Sequence, residues 1–483
     1  MSKPKVILRH CDTYDPARIA QIIGEGMDEL GVRPRGRTMV KPNVVIAHHQ
    51  VFAHAYTREE FLDGLLTAVR QRGDQISDLS VGERCGITIP TRYVFAMAGY
   101  PAVLRKHGVR AEYFDEGAQL PVSLKHPQAL RSLIYVPEAI AHCDFLINAP
   151  KFKAHPWTKV TFSIKNYIGI QDDAHRLIDH DHLLHTKIAD LQEVIAPGFI
   201  AIDAITAGER TMLTPDPYPL HLIVMGTNRV AVDSVCTRIV GLDPRDVDHI
   251  RFTAERGYGP LELEEIEISG DVSLEEARRR AANLRLTLEG VEQIFNGKSN
   301  ITTYVGPPPD TYRYCWGGCP GSLFEAMQII RAFQPDVYHQ VRNLHVVIGA
   351  YQGPIEAAPG EPVLFMGDCT HWQGEVHGQP VRITSLYQPR QTKDPTTAVS
   401  TDVVGKMVGV ARNLVRHRGQ TVIRVPGCPV SVAENVLYTS WLGKVTNPYF
   451  HHQIVFGFSY YWMVSKLARA RRSFSQRRPA SQA

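Results

Sequence analysis

The strongest constraint on this chain is an alternation of two hydrophobic periodicities over residues 1–299. "KVILRHC" and "RTMVKPNVV" are short apolar runs of strand type, and "DPARIAQIIGEGMDELG" between them spaces its apolar residues as a helix does and stops at Gly31. "YTREEFLDGLLTAVRQRG" carries Thr57 and Glu60 at capping-box spacing ahead of a second helical pattern. "DLSVGER", "DFLINAP", "GFIAIDAI" and "LHLIVMG" then read as buried strands that end in loops. Strands alternating with helices predict an α/β fold on a mainly parallel sheet. Ligands in such folds gather at the carboxyl ends of the strands, which here read "KPN", "GER", "NAPKFKAH" and "DAITAGER".

The chain has 483 residues, more than one hydrophobic core usually organises. Near Asn300 the texture changes, and "NGKSNITTYVGPPPDTY" reads as a linker. The alternation then resumes with helix "SLFEAMQIIRAF", strands "LHVVIGAY" and "PVLFMGDC", helix "VVGKMVGVARNLVRHRG" and strand "QTVIRVPGC". The expected organisation is an α/β domain over 1–299, a smaller α/β domain over 300–468 and a basic disordered tail over 469–483. A net charge of +4 is too small to argue for nucleic acid. "MSKPKVILRH" shows no secretory leader, and the apolar stretch "IVFGFSYYWMVSKLA" falls short of a bilayer span, which suits a packed or interfacial helix. Eight cysteines in so long a chain make no secreted disulfide scaffold, so a cytoplasmic, reducing compartment is expected. Neither G-x-G-x-x-G after the first strand nor a P-loop supports nucleotide binding, and no G-x-S-x-G elbow suggests an esterase.

Four of the cysteines stand out. Cys315 and Cys319 lie on a glycine-containing turn before a helix, Cys369 in "LFMGDCTHW" and Cys428 in "VIRVPGCPV" follow strands, and the three loops can converge on one sheet edge. Four thiolates at one place suit a tetrahedral zinc or an iron–sulfur cluster; a Cys315–Cys319 redox pair and unrelated buried thiols are the alternatives. Glycine beside each cysteine lets backbone N–H groups turn toward the sulfurs. One pair followed by two singles, the last in a Cys-Pro step, resembles the iron–sulfur subunit of nickel–iron hydrogenases and the related complex I subunit. That resemblance implies a flavodoxin-like domain and one [4Fe-4S] cluster on Cys315, Cys319, Cys369 and Cys428, with His371 as a neighbouring or substitute ligand. The pair is spaced C-x3-C, a departure from the commonest form. Cys11, Cys85, Cys143 and Cys236 are expected to be small buried apolar residues.

The second unusual stretch is "NAPKFKAHPWTKVTFSIKNYIGIQDDAHRLIDHDHLLHTKIADL". Lys151, Lys153 and His155 follow a buried strand, and Lys165 and Asn166 interrupt an apolar run. A lysine on an apolar element costs desolvation unless it meets an anion, so a carboxylate or phosphate pocket is expected there. His180, His182 and His185 have spacing compatible with a second metal, with His175, Asp172 or Asp173 beside them; a solvated histidine-rich helix is the plain alternative.

The order "VKPNVV", "VGER", "NAPKFKAH", "VTFSIKNYIGI", "AIDAITAGE", "AVDSVCTRIVGLDP" resembles the prokaryotic family called domain of unknown function 362, over most of residues 1–260. By position the resemblance singles out Lys41, Asn43, Glu83, Lys151, Lys153, His155, Lys165, Asn166, Asp203 and Asp233. It implies an iron–sulfur, redox character but no established reaction, and this chain lacks the closely spaced ferredoxin cysteines of many members. Asp233 can equally buttress a helix start, and Pro42 and Asn43 can form a turn.

The expected function is a cytoplasmic iron–sulfur redox protein, in which Lys151, Lys153, His155, Lys165 and Asp203 act on an anionic small molecule held by Lys41, Asn43, Glu83 and Asn166. An electron-donor protein is an expected partner, and homo-oligomerisation stays open. The alternatives are a non-redox metal-dependent isomerase, lyase or hydrolase with a structural zinc, and an electron-transfer module of a larger complex.

Overall fold

The computed structural model describes residues 3–48, 51–87, 89–171, 173–176, 178–180, 182–308, 314–387 and 403–477. Its larger sheet has ten strands: β1 (Lys5–His10), β2 (Arg35–Pro42), β3 (Asp74–Glu83), β4 (Arg110–Tyr113), β5 (Phe145–Ala149), β6 (Lys151–His155), β7 (Lys159–Thr161), β8 (Pro197–Glu209), β9 (Asp216–Gly226) and β10 (Glu267–Gly270). They run in the order β10-β1-β9-β8-β5-β2-β3-β4, with β6 alongside β8 and β7 alongside β6. Pairing is parallel throughout except β1–β9, β8–β9 and β6–β7. This is the expected mixed α/β architecture with a mainly parallel sheet.

Helices cover the sheet. In α1 (Pro16–Glu29), Asp15 caps the first turn, Pro16 opens it, and Ile19, Ile22, Ile23 and Met27 face inward. The expected Thr57–Glu60 capping box does not form ahead of α2 (Glu59–Arg72). The Thr57 hydroxyl donates instead to the Ala149 carbonyl and accepts from Asn43 N–H, while Glu60 pairs with Arg58. A buried strand-end contact thus outcompetes a local cap. The other helices used below are α3 (Thr91–Met97), α4 (Leu184–Leu191), α5 (Arg229–Ile239), α6 (Asp248–Glu255), α7 (Cys319–Phe333), α8 (Val403–Arg416), α9 (Val432–Gly443) and α10 (His452–Arg477).

The second sheet has four strands, β11 (Ile301–Val305), β12 (Leu344–Ile348), β13 (Val363–Met366) and β14 (Val422–Val425), all parallel and in that order. Strand β11 lies inside the stretch read from sequence as linker. Its run "ITTYV" is β-branched and pairs fully with β12, so the Gly and Pro residues punctuate the strand on either side. Helices α7 and α9 pack on one another, with the Asn435 amide donating to the Ser322 hydroxyl at 2.8 Å. Apolar side chains of both sheets join one continuous core.

Helix α10 returns to the first sheet's side of the molecule. Phe458 and Tyr461 pack on Tyr93 of α3, and Arg469 and Arg472 pair with Asp115 and Glu138 at 3.1 and 3.0 Å. Residues 469–477, assigned from sequence to the basic tail, continue this helix; 478–483 lie outside the described residues. No helix among the described residues is long and apolar enough to cross a membrane.

Candidate functional site

The polar residues singled out around the first sheet cluster at the carboxyl ends of β2, β3 and β5, along β6 and at the middle of β8 where it pairs with β6. They fall into separate groups. Lys41, at the end of β2, is fully buried and donates to Glu83 of β3 and to the Asn166 carbonyl, both at 2.7 Å. Burial draws both partners toward neutrality, lowering Lys41 and raising Glu83, while each holds the other's charge in place. Asn166 is tied by its side chain to Asn43 and to Asn148, at 3.0 and 2.7 Å. The turn Lys165–Ile170 passes so close that a Cβ on Gly169 would sit 2.0 Å from Glu83 Oε1. The Lys-Asn-x-x-Gly element therefore wraps a buried ion pair. Asp233, on α5, accepts from Ser163 N–H and Oγ and from Ile164 N–H, which holds the entry to that turn; burial pushes its carboxyl up to about 7.

Lys151, Lys153 and His155 share one face of β6, since side chains alternate along a strand, yet they meet different partners. Lys151 pairs with Asp203 of β8 at 2.9 Å and donates to the Tyr14 hydroxyl at 2.9 Å. Tyr14 in turn donates to Asp203, and the Arg58 N–H caps the same carboxylate. This group closes on itself. Lys153 donates to the carbonyls of Ala55 and Met212 at 2.7 and 3.0 Å, and burial lowers it to about 7. The carboxylate that influences it most lies on α7, beside the second sheet. Glu325 of α7 is fully buried, accepts the N–H groups of Met212 and Leu213, and is pushed by burial to about 7.

Lys165 differs from the other three lysines. Its side chain is half-buried, and among the described residues it makes no hydrogen bond or ion pair. Burial, with Lys153 and Arg176 nearby, lowers its ammonium well below the ordinary value. His155 and His180 lie on either side of Trp157, with ring centroids at 5.6 and 5.1 Å. Both histidines are lowered well below the usual range, first by burial and then by lysine charge that includes Lys165. His180 Nδ1 and Trp157 Nε1 are buried and meet no hydrogen-bond partner among the described residues. The Trp157 indole reaches α7: a Cβ on Gly321 would lie 1.9 Å from Trp157 Nε1.

At the second sheet all four cysteines line one cavity of about 270 Å³ at the carboxyl ends of the four parallel strands. Cys369 follows β13, Cys428 follows β14, Cys315 lies on the preceding turn and Cys319 opens α7. Cys319 is buried, Cys315 and Cys369 are half-buried, and Cys428 is exposed, so the cavity meets solvent on the Cys428 side. Backbone crowds the sulfurs: a Cβ on Gly318 would lie 2.7 Å from Cys315 Sγ, and one on Gly367 2.9 Å from Cys319 Sγ. Gly367 also has φ +98°, a conformation that favours glycine. Asp368 stitches the two single-cysteine loops, accepting from Gly427 N–H and donating its own to the Gly427 carbonyl. Burial and the other sulfurs raise the thiols of Cys315 and Cys319 well above their ordinary value, opposed by the backbone of His182 at Cys315 and of Val430 at Cys319.

The sequence reading of a second metal at His180, His182 and His185 meets a different geometry. His180 faces Trp157, the backbone of His182 meets Cys315, and His185 of α4 pairs with His249 of α6, ring nitrogen to ring nitrogen at 3.2 Å. Among the described residues no three His, Cys, Asp or Glu side chains are close enough to share one ion. Asp172 lies outside the described residues. His371 is exposed and does not line the cysteine cavity. Cys11, Cys85 and Cys236 are buried and Cys143 half-buried, with burial raising each thiol. The sequence reading missed Glu325, Trp157, Tyr14 and His249. Only Glu325 left a signal, a lone carboxylate on the apolar face of "SLFEAMQII".

The class this defines is an α/β protein whose two larger sheets present a lysine-rich and a cysteine-rich set of strand ends. Residues 38–238 match a family described as Domain of unknown function (DUF362), a span that holds Lys41, Glu83, Lys151, Lys153, Lys165, Asp203 and Asp233 but neither Glu325 nor Asp368. Over 271 residues the chain is 22% identical to the thylakoid-associated protein sll1697 of Synechocystis sp., a match covering 54% of this chain and 81% of that one. Among solved structures it is similar to a protein of Thermotoga maritima (11% identity, TM-score 0.31, 48% of this chain and 61% of that chain). It is also similar to the lactate racemase apoprotein of Thermoanaerobacterium thermosaccharolyticum (11% identity, TM-score 0.31, 49% of this chain and 57% of that chain). The chain spans about three fifths of the length of these two structures.

Proposed function

We propose that this chain is an iron–sulfur redox protein of a reducing compartment that acts on an anionic small molecule where its two domains meet. The observation that carries the reading is the cysteine cavity. Four sulfurs from three loops and a helix start line a space of about 270 Å³. Cys315, Cys319, Cys369 and Cys428 would hold a [4Fe-4S] cluster. Buried thiols raised by their neighbours ionise together only around a cationic centre, and the N-terminus of α7 at Cys319 favours negative charge on that sulfur. Such a cluster, when bound, supplies single-electron transfer. Exposure at Cys428 marks the side from which an electron-donor protein would approach.

Near His155, Lys165 is the one of these four lysines left for a substrate carboxylate or phosphate, because Lys41, Lys151 and Lys153 spend their donors inside the protein. Burial favours the neutral amine of Lys165 and the neutral imidazole of His155, and either can take up a proton from a bound acid. Lys153 and Glu325, both moved to about 7, hold protons close by. The Lys41–Glu83 and Lys151–Asp203 pairs fix the strand ends that carry this pocket.

The reading is tested by the visible spectrum of anaerobically purified protein. A broad absorption that bleaches on reduction, with Lys165→Met removing the effect of added organic anions on its reoxidation, is the expected result. A colourless protein after anaerobic reconstitution with iron and sulfide would overturn it.

A further inference from the structure

Helix α10 carries a feature that neither the cysteine cavity nor the lysine pocket uses. One face is anchored: Phe458 and Tyr461 pack on Tyr93, Ser465 is buried, and Arg469 and Arg472 pair with Asp115 and Glu138. The opposite face is apolar and exposed. Phe456, Tyr460, Met463 and Leu467 are 75%, 59%, 55% and 60% exposed, and their spacing of four, three and four residues sets them in a single stripe. At a rise of 1.5 Å per residue the stripe is about 17 Å long. Lys466 and Arg471 stand exposed at its C-terminal end, and the Lys466 ammonium lies 5.4 Å from the centre of the Trp462 ring. Phe450, just before the helix, is also exposed.

We propose that α10 is an interfacial helix that seats the protein on an anionic lipid surface, apolar stripe inward and basic end among the headgroups. Charge selects this occupant. From Asn435 to Ala483 the chain has Lys444, Lys466, Arg469, Arg471, Arg472, Arg477 and Arg478 and no Asp or Glu. A second copy docked stripe to stripe would bring two wholly basic helices together, whereas an anionic bilayer answers both the charge and the apolar face. Aromatic rings beside lysine and arginine suit the headgroup boundary, where the rings bury and the cations reach outward. The ion pairs and ring contacts on the opposite face hold the stripe outward, so the helix has no need to detach in order to bind. Each basic residue near an anionic surface adds to the attraction, and the buried apolar side chains add the rest.

The test is co-sedimentation of the full chain with vesicles of phosphatidylcholine alone and of phosphatidylcholine with one part in three phosphatidylglycerol. Binding to the anionic vesicles is expected, weaker by at least about tenfold on phosphatidylcholine alone or in molar salt. Phe456→Ser with Leu467→Ser, and separately Lys466→Glu with Arg471→Glu, should each lower binding by about tenfold or more while the thermal melt is kept, because all four side chains are exposed. Equal binding by the variants and the parent chain would overturn the proposal, as would no binding to either vesicle. A self-association in light scattering that the Phe456/Leu467 variant abolishes, without vesicle binding, would assign the stripe to a second copy. Retention on an acidic polypeptide but not on vesicles would assign it to a protein partner. Both of those outcomes also overturn the proposal.

Discussion

The two sheets each gather a costly residue type at their strand ends, lysine in the first and cysteine in the second, and they treat it in opposite ways. Three of the first sheet's lysines are met from within: Lys41 by Glu83 and Asn166, Lys151 by Asp203 and Tyr14, Lys153 by two carbonyls. The second sheet's cysteines face one another across a cavity. A closed polar network organises structure, because every desolvated group already has its compensation. A set of like groups turned toward a shared space needs something brought from outside. Lys165 belongs with the cysteines in this respect, and it lies near the helix that carries one of them.

The comparison can be broken most sharply on the cysteine side. Cys319→Ser should abolish the visible chromophore with little change in the apoprotein's melt, since serine replaces a buried thiol at similar volume; a full chromophore in that variant would detach the cavity from cofactor binding. On the lysine side, Glu83→Ala leaves Lys41 charged and uncompensated, and a loss of about 3–5 kcal/mol is expected in urea unfolding. Gly169→Ala, which drives a methyl against Glu83, should cost about 1–3 kcal/mol by the same measurement. Lys165→Met should melt at the same temperature as the parent or higher, because it removes a desolvated cation without a partner, yet it should lose anion binding in calorimetry. A cost comparable to Glu83→Ala would place Lys165 among the structural lysines.

The smallest effect is a pH dependence. Glu325 is raised from 4.5 to about 7 in the folded chain, so between those values the folded state binds more protons than the unfolded state. Its contribution to stability is full below 4.5 and is lost as pH rises through about 7. Lys153, lowered from 10.5 to about 7, works the other way: stability rises with pH from about 7 to 10.5. Glu325→Gln should flatten the melting profile between pH 4.5 and 7 and leave the alkaline limb in place. An unchanged acid limb would mean that the carboxyl ionises normally.

What was legible from sequence and what was not follows the same division. The strand ends could be read from periodicity alone, and with them the convergence of Cys369 and Cys428, because a parallel sheet puts the loops after its strands on one edge. The excess of lysine at "NAPKFKAH" was legible as a cost that needed an anion. Which anion was not legible: Glu83 reaches Lys41 through the pairing of β2 with β3, and Asp203 reaches Lys151 through the pairing of β6 with β8. Register between distant strands is a tertiary fact. Glu325 stood out as a lone carboxylate on an apolar helix face, but its partners were hidden, since Met212 and Leu213 follow β8 more than a hundred residues earlier. Strand β11 was obscured by the Gly and Pro residues that flank it, and the Thr57 cap failed because a buried carbonyl competed for the hydroxyl. The histidines at 180, 182 and 185 looked like one ligand set in sequence, but the chain between them turns into α4 and sends them to three different neighbours.

The central claim is that the cysteine cavity holds a multi-iron cluster and no single ion. Iron, acid-labile sulfide and zinc counted per chain in an anaerobic preparation test it most directly. The account predicts about four irons and four sulfides, with both lost in Cys319→Ser. About one zinc and no sulfide would contradict it.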